Sequence, residues 1–121
     1  MHSIVAAAVV LAAGCLTANA AEVGGEYEVL GKNPDGSRYS GTAVITPTAD
    51  YTCNIDWRLG SQDTHGICML VSDVAFAAGY TLGKKVGLAI YVINDDGSLD
   101  GRWTIAEEDG LGTETLIPMD W

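Results

Sequence analysis

Residues 86–105, which read VGLAIYVINDDGSLDGRWTI, are the stretch that decides the fold of this chain. They consist of two runs rich in β-branched and aromatic residues, separated by a turn-forming segment at 94–98. Strand-forming runs on either side of a short Asp-Gly segment are typical of a β-hairpin. The sequence therefore predicts a hairpin here and assigns Asp96, Gly97 and Gly101 to its turn.

A stretch of the same type lies near the other end of the chain, where NPDGS at 33–37 precedes another β-rich run. From residue 21 onward no segment has the apolar period of a helix, and glycines and turn residues separate short β-rich runs. The connections are too short for a parallel crossover, so neighbouring strands are expected to pair antiparallel. The sequence predicts strands at 25–30, 39–46, 51–59, 66–71, 74–80, 86–94, 99–106 and 113–119.

This strand pattern predicts an all-β protein, an antiparallel up-and-down meander that closes into an eight-stranded barrel, because closure removes the exposed edges. The run at 86–94 is apolar on both faces. In a single-layer barrel one of those faces must point outward. Cover by the chain's own residues is the expectation, and another subunit or a bound molecule is the alternative.

The first twenty residues are interpreted as a secretory signal peptide. An apolar run at 4–16 precedes an A-x-A cleavage site at 18–20, and it is too short to cross a bilayer as a helix. The sequence thus predicts one β-barrel domain at 21–121, without a transmembrane segment, exported to the periplasm or outside the cell. The stretch LAAGC, which ends at Cys15, resembles a lipoprotein box and keeps lipid anchoring through Cys15 as the alternative.

The charge balance argues against two classes of partner. The chain has 6 Lys and Arg against 16 Asp and Glu, a net charge of -10, and residues 21–121 carry all of it. Nucleic acid requires a basic footprint on the protein, and an anionic membrane surface would repel an acidic one. The acidic surface supports solubility and would suit a basic patch on a protein partner.

The cysteines predict one disulfide. Cys15 lies in the leader, so Cys53 and Cys68 remain as a pair in an exported domain. If the strands flanking residues 60–61 turn symmetrically, the two cysteines lie directly opposite each other, close enough to bridge. A redox or metal site is the alternative, although the chain has no C-x-x-C motif and His65 is the one histidine nearby.

No catalytic or metal-binding constellation stands out in the sequence. Ser61, Asp63 and His65 could be assembled into a triad, but all three fall within one predicted polar loop. The acidic residues near 95–100 lack the register of an EF-hand. The sequence therefore predicts a protein without enzymatic activity, cofactor or metal, and a hydrolase is the minor alternative.

Aromatic residues offer a weaker signal about binding. Tyr27, Tyr51, Trp57 and Trp103 are expected on the apolar faces of their strands, inside the barrel. An eight-stranded barrel has room for packed side chains or for one small ligand. A packed core is the expected role of these residues, and a ligand pocket lined by them is the alternative.

The turn motifs also carry a resemblance. The pattern Asp-Gly-x-Leu-x-Gly-x-Trp at 96–103, with the Gly- and Tyr-containing run at 25–42 and Gly-Thr-Glu-x-Leu at 112–116, resembles a family of small exported bacterial proteins. Some members are labelled fibronectin-binding protein. The likeness covers nearly all of residues 21–121, and Cys68 departs from it. The 96–103 pattern is also similar to turns in avidin-like and other calycin barrels, which supports the fold more than a ligand.

Together these observations predict a non-enzymatic exported binding protein. The resemblance implies a host matrix protein such as fibronectin as the partner, and a small ligand is the other candidate. Two alternatives fit the same residues: an envelope protein that inhibits a basic enzyme such as lysozyme, and a purely structural envelope protein. The sequence leaves the oligomeric state open.

Overall fold

A computed structural model describes residues 23–119, which form antiparallel strands joined by short turns. The predicted signal peptide at 1–20, with Cys15, lies outside the described residues. Within residues 23–119 no helix is long and apolar enough to cross a membrane. The strands are β1 (Gly25–Lys32), β2 (Arg38–Pro47), β3 (Thr52–Leu59), β4 (Gln62–Ser72), β5 (Ala75–Leu82), β6 (Lys85–Ile93), β7 (Leu99–Ile105) and β8 (Gly112–Pro118).

The eight strands close into a barrel in which each strand pairs with the next one along the chain. The last strand returns to the first, and Val29 of β1 lies opposite Leu116 of β8. The predicted fold class is thus confirmed. Closure leaves no strand edge with unpaired backbone groups, which removes the usual template for edge-to-edge aggregation.

One strand boundary was predicted wrongly. The sequence places β4 at 66–71 behind a polar loop, whereas the strand runs over Gln62–Ser72 and turns tightly at Gly60, whose φ is 67°. Its first residues are polar because Asp63 and His65 face outward, while Thr64 points into the barrel and is buried. The polar segment that was predicted to be a loop is the beginning of this strand, and its outward side chains face solvent.

Alternation of buried and exposed residues along the strands builds the core. Tyr27 and Val29 share the inward face of β1, as predicted, and Ile55 and Trp57 do so on β3. Phe76, near the start of β5, is fully buried and stacks on the ring of Tyr91 at a centroid distance of 4.7 Å. Each such large side chain contributes about 1.5–3 kcal/mol through burial.

The predicted disulfide is present. Cys53 and Cys68 pair across β3 and β4, their Cα atoms are 4.9 Å apart, and both residues are buried. The turn at Gly60 sets this register, because a symmetric hairpin places the two cysteines opposite each other. A structural disulfide of this kind is typical of an oxidising compartment and favours export.

The two Asp-Gly-Ser turns have the same internal hydrogen bonds. In the turn at 94–98, the Asp96 carboxylate accepts the backbone N–H and the hydroxyl of Ser98, at 2.9 and 2.6 Å. Hydrogen bonds from the Ser98 hydroxyl and backbone N–H lower the pKa of Asp96. Gly97 closes the turn at a φ of 88°, and the turn at 33–37 repeats every one of these contacts.

Gly101 does not belong to the turn to which the sequence assigned it. It lies inside β7, opposite Tyr91 of β6 and Glu114 of β8. A Cβ atom at this position would lie 2.5 Å from the Tyr91 ring. Glycine is therefore required here by the close approach of a side chain, not by a turn.

One side of the barrel exposes an apolar face. It is formed by outward side chains of β4 and β6, with the smaller outward residues of β5 between them. Its large members are Ile67, Met69, Val71, Val86, Leu88, Ile90 and Val92, each more than half exposed. The expected cover by the chain's own residues is not provided by any residue within 23–119.

Removal of the disulfide is expected to lower stability without changing the fold. The bridge spans 15 residues of sequence, and a loop of that length confers about 3 kcal/mol in the chain-entropy account. The double variant Cys53→Ala/Cys68→Ala should lose about that much free energy of unfolding, measured by chemical denaturation. Reduced wild-type protein is the matched control, because it keeps the sulfur atoms in the core. An unchanged unfolding midpoint in both samples would contradict this account.

Candidate ligand-binding site

The two ends of the barrel differ in how they are filled. The end that carries the turns near 33–37, 60–61, 83–84 and 106–111 is called the mouth. The opposite end, which carries the disulfide, is called the base. The mouth opens into a pocket of about 210 Å³. Its lining includes five aromatic rings and a carboxylate: Tyr39, Trp57, Tyr80, Tyr91, Trp103 and Glu114.

A second hollow of about 470 Å³ lies at the base, beside Cys53 and Pro47. Its lining contains no aromatic residue among the described part of the chain. A binding site is marked by an apolar wall with a few polar groups that converge on it. The mouth pocket has both features and is therefore the candidate site.

Glu114 is the central polar group of the pocket. It lies on the inward face of β8 and is only 6% exposed. Its Oε1 accepts the hydroxyl of Tyr39 at 2.7 Å, and its Oε2 accepts the hydroxyl of Tyr91 at 2.6 Å and the indole N–H of Trp57 at 3.0 Å. Donors on three other strands thus compensate the burial of a charged carboxylate, which would otherwise be strongly unfavourable.

Glycines beside Glu114 allow these contacts. In the strand register Glu114 lies between Gly31 of β1 and Gly101 of β7. Tyr39 is paired with Gly31, and Tyr91 with Gly101, so each tyrosine ring lies over a glycine and extends toward Glu114. A Cβ atom on Gly31 would come within 2.0 Å of the Tyr39 ring.

Two further aromatic residues follow the same arrangement. Tyr80 lies over Gly87 of β6, and Trp103 lies over Gly112 of β8; a Cβ on either glycine would come within 2.2 Å of the ring. Aromatic cover of a cross-strand glycine stabilises a sheet where the glycine alone would weaken it. In these pairs the aromatic rings lie along the barrel wall, so the centre of the mouth stays open.

The tyrosines of the pocket hold their protons tightly. Burial, and next the negative charge of Glu114, raise the pKa of Tyr39 and of Tyr91 well above the usual value. The same two causes raise the pKa of Tyr80 to about 12. The three hydroxyls therefore stay neutral donors at physiological pH, and Tyr80 donates to the backbone oxygen of Thr104 at 3.2 Å.

Trp103 lines the pocket with its ring, but its indole N–H is closed off from the open space. Its indole Nε1 is buried and has no hydrogen-bond partner within the part of the chain that the structure describes. Leaving a buried N–H unsatisfied is unfavourable by about 1–3 kcal/mol. The Nε1 atom lies against Gly112, where an added Cβ atom would be 2.5 Å away, and it lies near enough to the Tyr39 hydroxyl to offset part of the rise in the pKa of that group. A molecule in the pocket therefore meets the Trp103 ring and not its N–H.

The structure places the predicted aromatic residues in three different settings. Trp57 and Trp103 line the pocket. Tyr27 is buried at the base, where its hydroxyl contacts the backbone of Gly24. Tyr51 was predicted wrongly as an interior residue: it precedes β3, in the turn from β2, and is 70% exposed.

Sequence reasoning missed Tyr39, Tyr80, Tyr91 and Glu114. The signal for Glu114 was its position: it alternates with Gly112 and Leu116 on a face whose other members are apolar. An acidic residue at an inward position of a strand points to a buried partner. Its donors could not be assigned from the sequence, because they lie on strands that do not pair with β8.

The residues considered for a catalytic triad are not assembled into one. Ser61 lies in the turn before β4, while Asp63 and His65 are exposed on the outer face of that strand. His65 contacts Asp56 of β3 instead, with 2.7 Å between Nδ1 and Oδ1. Asp96 and Asp100 contact turn residues and Thr115, and no cluster of three potential metal ligands occurs within residues 23–119.

Comparison with known proteins identifies the fold. No family model matches the sequence, and no curated protein matches it. A redesigned β-barrel, mFAP1, bound to DFHBI, is 21% identical with a TM-score of 0.69, covering 84% of this chain and 99% of that one. Another redesigned barrel, b11L5F_LGL, is 19% identical with a TM-score of 0.72 over 84% and 95%. At these identities the likeness shows the fold alone, and the resemblance to exported bacterial families stays a prediction.

The pocket tyrosines are expected to make the protein sensitive to alkali. An unfolded tyrosine ionises near pH 10, whereas Tyr80 in the folded protein ionises near 12. The folded state thus binds the Tyr80 proton more tightly than the unfolded state does. The stabilisation that results is complete below about pH 10 and is lost as the pH rises through about 12. Denaturant unfolding at stepped pH, with tyrosinate absorbance recorded in parallel, measures this loss.

The variant Tyr80→Phe is the control for the alkaline effect. This variant lacks one of the tyrosines whose pKa is raised, so its free energy of unfolding should fall less steeply between about pH 10 and 12. Ionisation of every pocket tyrosine near pH 10 in a protein that remains folded would contradict the burial and charge effects described above.

Proposed function

We propose that this chain is a non-enzymatic, exported barrel that binds a small ligand in the mouth pocket. The observation that carries the proposal is an open cavity of about 210 Å³ lined by five aromatic rings and a buried carboxylate. A packed barrel interior would leave no such cavity, because protein interiors contain few voids larger than a water molecule. The cavity has room for several water-sized units, since one water occupies about 30 Å³ in the liquid.

The walls of the pocket support the same function. Aromatic rings provide apolar contact, and the carboxylate of Glu114 provides a charged acceptor. Their positions are fixed by the barrel and by the contacts to Glu114, so the site exists before a ligand arrives. A preformed site binds more tightly because little ordering remains to be done on binding.

The similar structures support small-molecule binding in a barrel of this kind. The redesigned barrels mFAP1 and mFAP0 are both described in complex with DFHBI. Export is supported by the disulfide between Cys53 and Cys68. Binding of fibronectin and inhibition of lysozyme rest on the sequence resemblance and on the acidic surface alone.

Replacement of Trp103 tests the proposal directly. Trp103→Phe removes an N–H that has no partner in the folded protein, so the loss of stability should stay small. The same variant removes part of the aromatic wall of the pocket, so it should weaken binding of a neutral probe, 3,3-dimethylbutan-1-ol, about tenfold, the value of about 1.4 kcal/mol of lost apolar contact. The dissociation constant follows from chemical-shift titration, with the Trp103 indole N–H signal reporting occupancy in the wild type.

Trp57→Phe is the matched control. It deletes the same N–H group from a tryptophan that donates to Glu114, so it should lower stability by about 1–3 kcal/mol. Absence of any shift at the Trp103 indole signal, with this probe and with the cationic and anionic probes described below, would overturn the proposal.

A further inference from the structure

We infer that the mouth pocket selects a small organic cation, an amine or quaternary ammonium compound, over neutral and anionic molecules of the same shape. This inference rests on the proposed function, whose site it describes in more detail. Three independent features of the pocket lead to it: the charge of its lining, the orientation of its donors and the aromatic composition of its wall.

The lining of the pocket has charge of one sign only. Glu114 is the one described lining residue with a charged side chain at neutral pH, and the described lining contains no lysine, arginine or histidine. Since all three contacting groups donate to its oxygens, the arrangement suits the deprotonated carboxylate. A proton on Oε2 would compete with the Trp57 N–H, which can only donate.

The field of Glu114 reaches across the pocket. Tyr80 makes its hydrogen bond to the Thr104 backbone and not to Glu114, yet the Glu114 charge still contributes to its raised pKa. A buried charge acts strongly at such range because little water is present to screen it. A cation that enters the pocket is stabilised by this field, and an anion is repelled by it.

Aromatic rings complete the environment that a cation prefers. Trp57 and Tyr80 meet edge to face with centroids 5.3 Å apart, and Tyr39 and Trp103 do so at 6.2 Å. Ring faces attract quaternary ammonium groups by about 0.5–2 kcal/mol each, and Trp does so best. The net charge of -10 on the whole chain would in addition draw cations toward the protein.

Three probes of nearly equal shape test the inference: choline, 3,3-dimethylbutan-1-ol and 3,3-dimethylbutanoate. They differ mainly in charge, which is positive, zero and negative. Titration of the wild-type protein at low salt, followed by the Trp103 indole signal, should give choline an affinity at least tenfold above the alcohol, with the anion weakest. Equal affinities, or tighter binding of the alcohol or the anion, would overturn the cation preference and leave the proposed function standing. No binding of any probe would remove both.

The variant Glu114→Gln identifies the source of the preference. The glutamine oxygen can still accept from Trp57 and Tyr91, and its amide can donate to the Tyr39 oxygen, so the network is retained. The ratio of choline to alcohol affinity should fall at least tenfold toward unity. An unchanged ratio in folded variant protein would exclude Glu114 as the source. The wild-type ranking of the three probes stands as a test even if this variant does not fold.

A different observation, the exposed apolar face, carries a second inference. We infer that this face packs against the same face of a second copy of the chain. Ile67 and Leu88 flank Gly79 in the strand register, and Met69 and Ile90 flank Ala77 one pair further along. Two ridges of large side chains thus border a trough of small ones, and a ridge of one copy fits the trough of the other under a two-fold axis.

The size and charge of the apolar face suit a pair of identical copies. Its large side chains leave about 100 Å² each exposed, on the order of 700 Å² in all. A stable complex buries about 800 Å² on each partner, whereas larger apolar patches are uncommon on monomers. The ridges and the trough contain no charged residue, so the acidic surfaces of two copies need not meet.

Sedimentation or native mass spectrometry over a concentration series tests the pairing. The wild-type chain should be dimeric at micromolar concentration, and Leu88→Lys should weaken the dimer at least a hundredfold. Leu30→Lys is the matched control, because Leu30 is exposed on β1, across the barrel, at 46%. A wild-type chain that stays monomeric throughout, or an equal effect of the two variants, would overturn this inference.

Discussion

The contact on which the mouth half of the barrel depends is the buried carboxylate of Glu114 and its three donors. The donors come from β2, β3 and β6, and the carboxylate comes from β8, so the network joins β8 to three strands with which it shares no backbone ladder. Backbone pairing holds neighbouring strands together, but it does not fix the cross-section of the barrel. The hydrogen bonds to Glu114 tie four strands together across the interior and so constrain that cross-section.

The two halves of the barrel follow from this division of roles. Toward the base, large and fully buried side chains such as Phe76, Ile45 and Ile55 pack the interior. Toward the mouth, rings lie flat over glycines and extend to Glu114, so the space along the axis stays open. Glycine on one strand and an aromatic residue on the next is thus the local device that turns a filled barrel into a hollow one.

Local signals in the sequence predicted much of this architecture, and they failed where the structure depends on distant strands. The strands, closure and the Cys53–Cys68 pair follow from alternation and from turn residues, whose range is a few positions. Gly101 was taken for a turn residue because its neighbours in the sequence form one, whereas its actual requirement comes from Tyr91 on the adjacent strand. Tyr51 was predicted to be inside because it lies an even number of positions from the inward residues of β3. The strand begins one residue later, and the Tyr51 side chain is exposed. Glu114 could not be matched to its donors, since no pattern along one strand reports what faces it across the barrel.

The seam between β1 and β8 has a consequence for the order of the chain itself. The backbone N–H of Met119 donates to the oxygen of Glu26 at 3.0 Å, so the two ends of the described chain are neighbours at the base. The barrel is a ring whose strands would keep the same neighbours wherever the polypeptide began. A short linker across the seam, with new ends opened in the base turn at 48–51, would give a circular permutant whose mouth is untouched. The point at which the chain starts is therefore incidental to the site, and the cyclic order of the strands is what defines it.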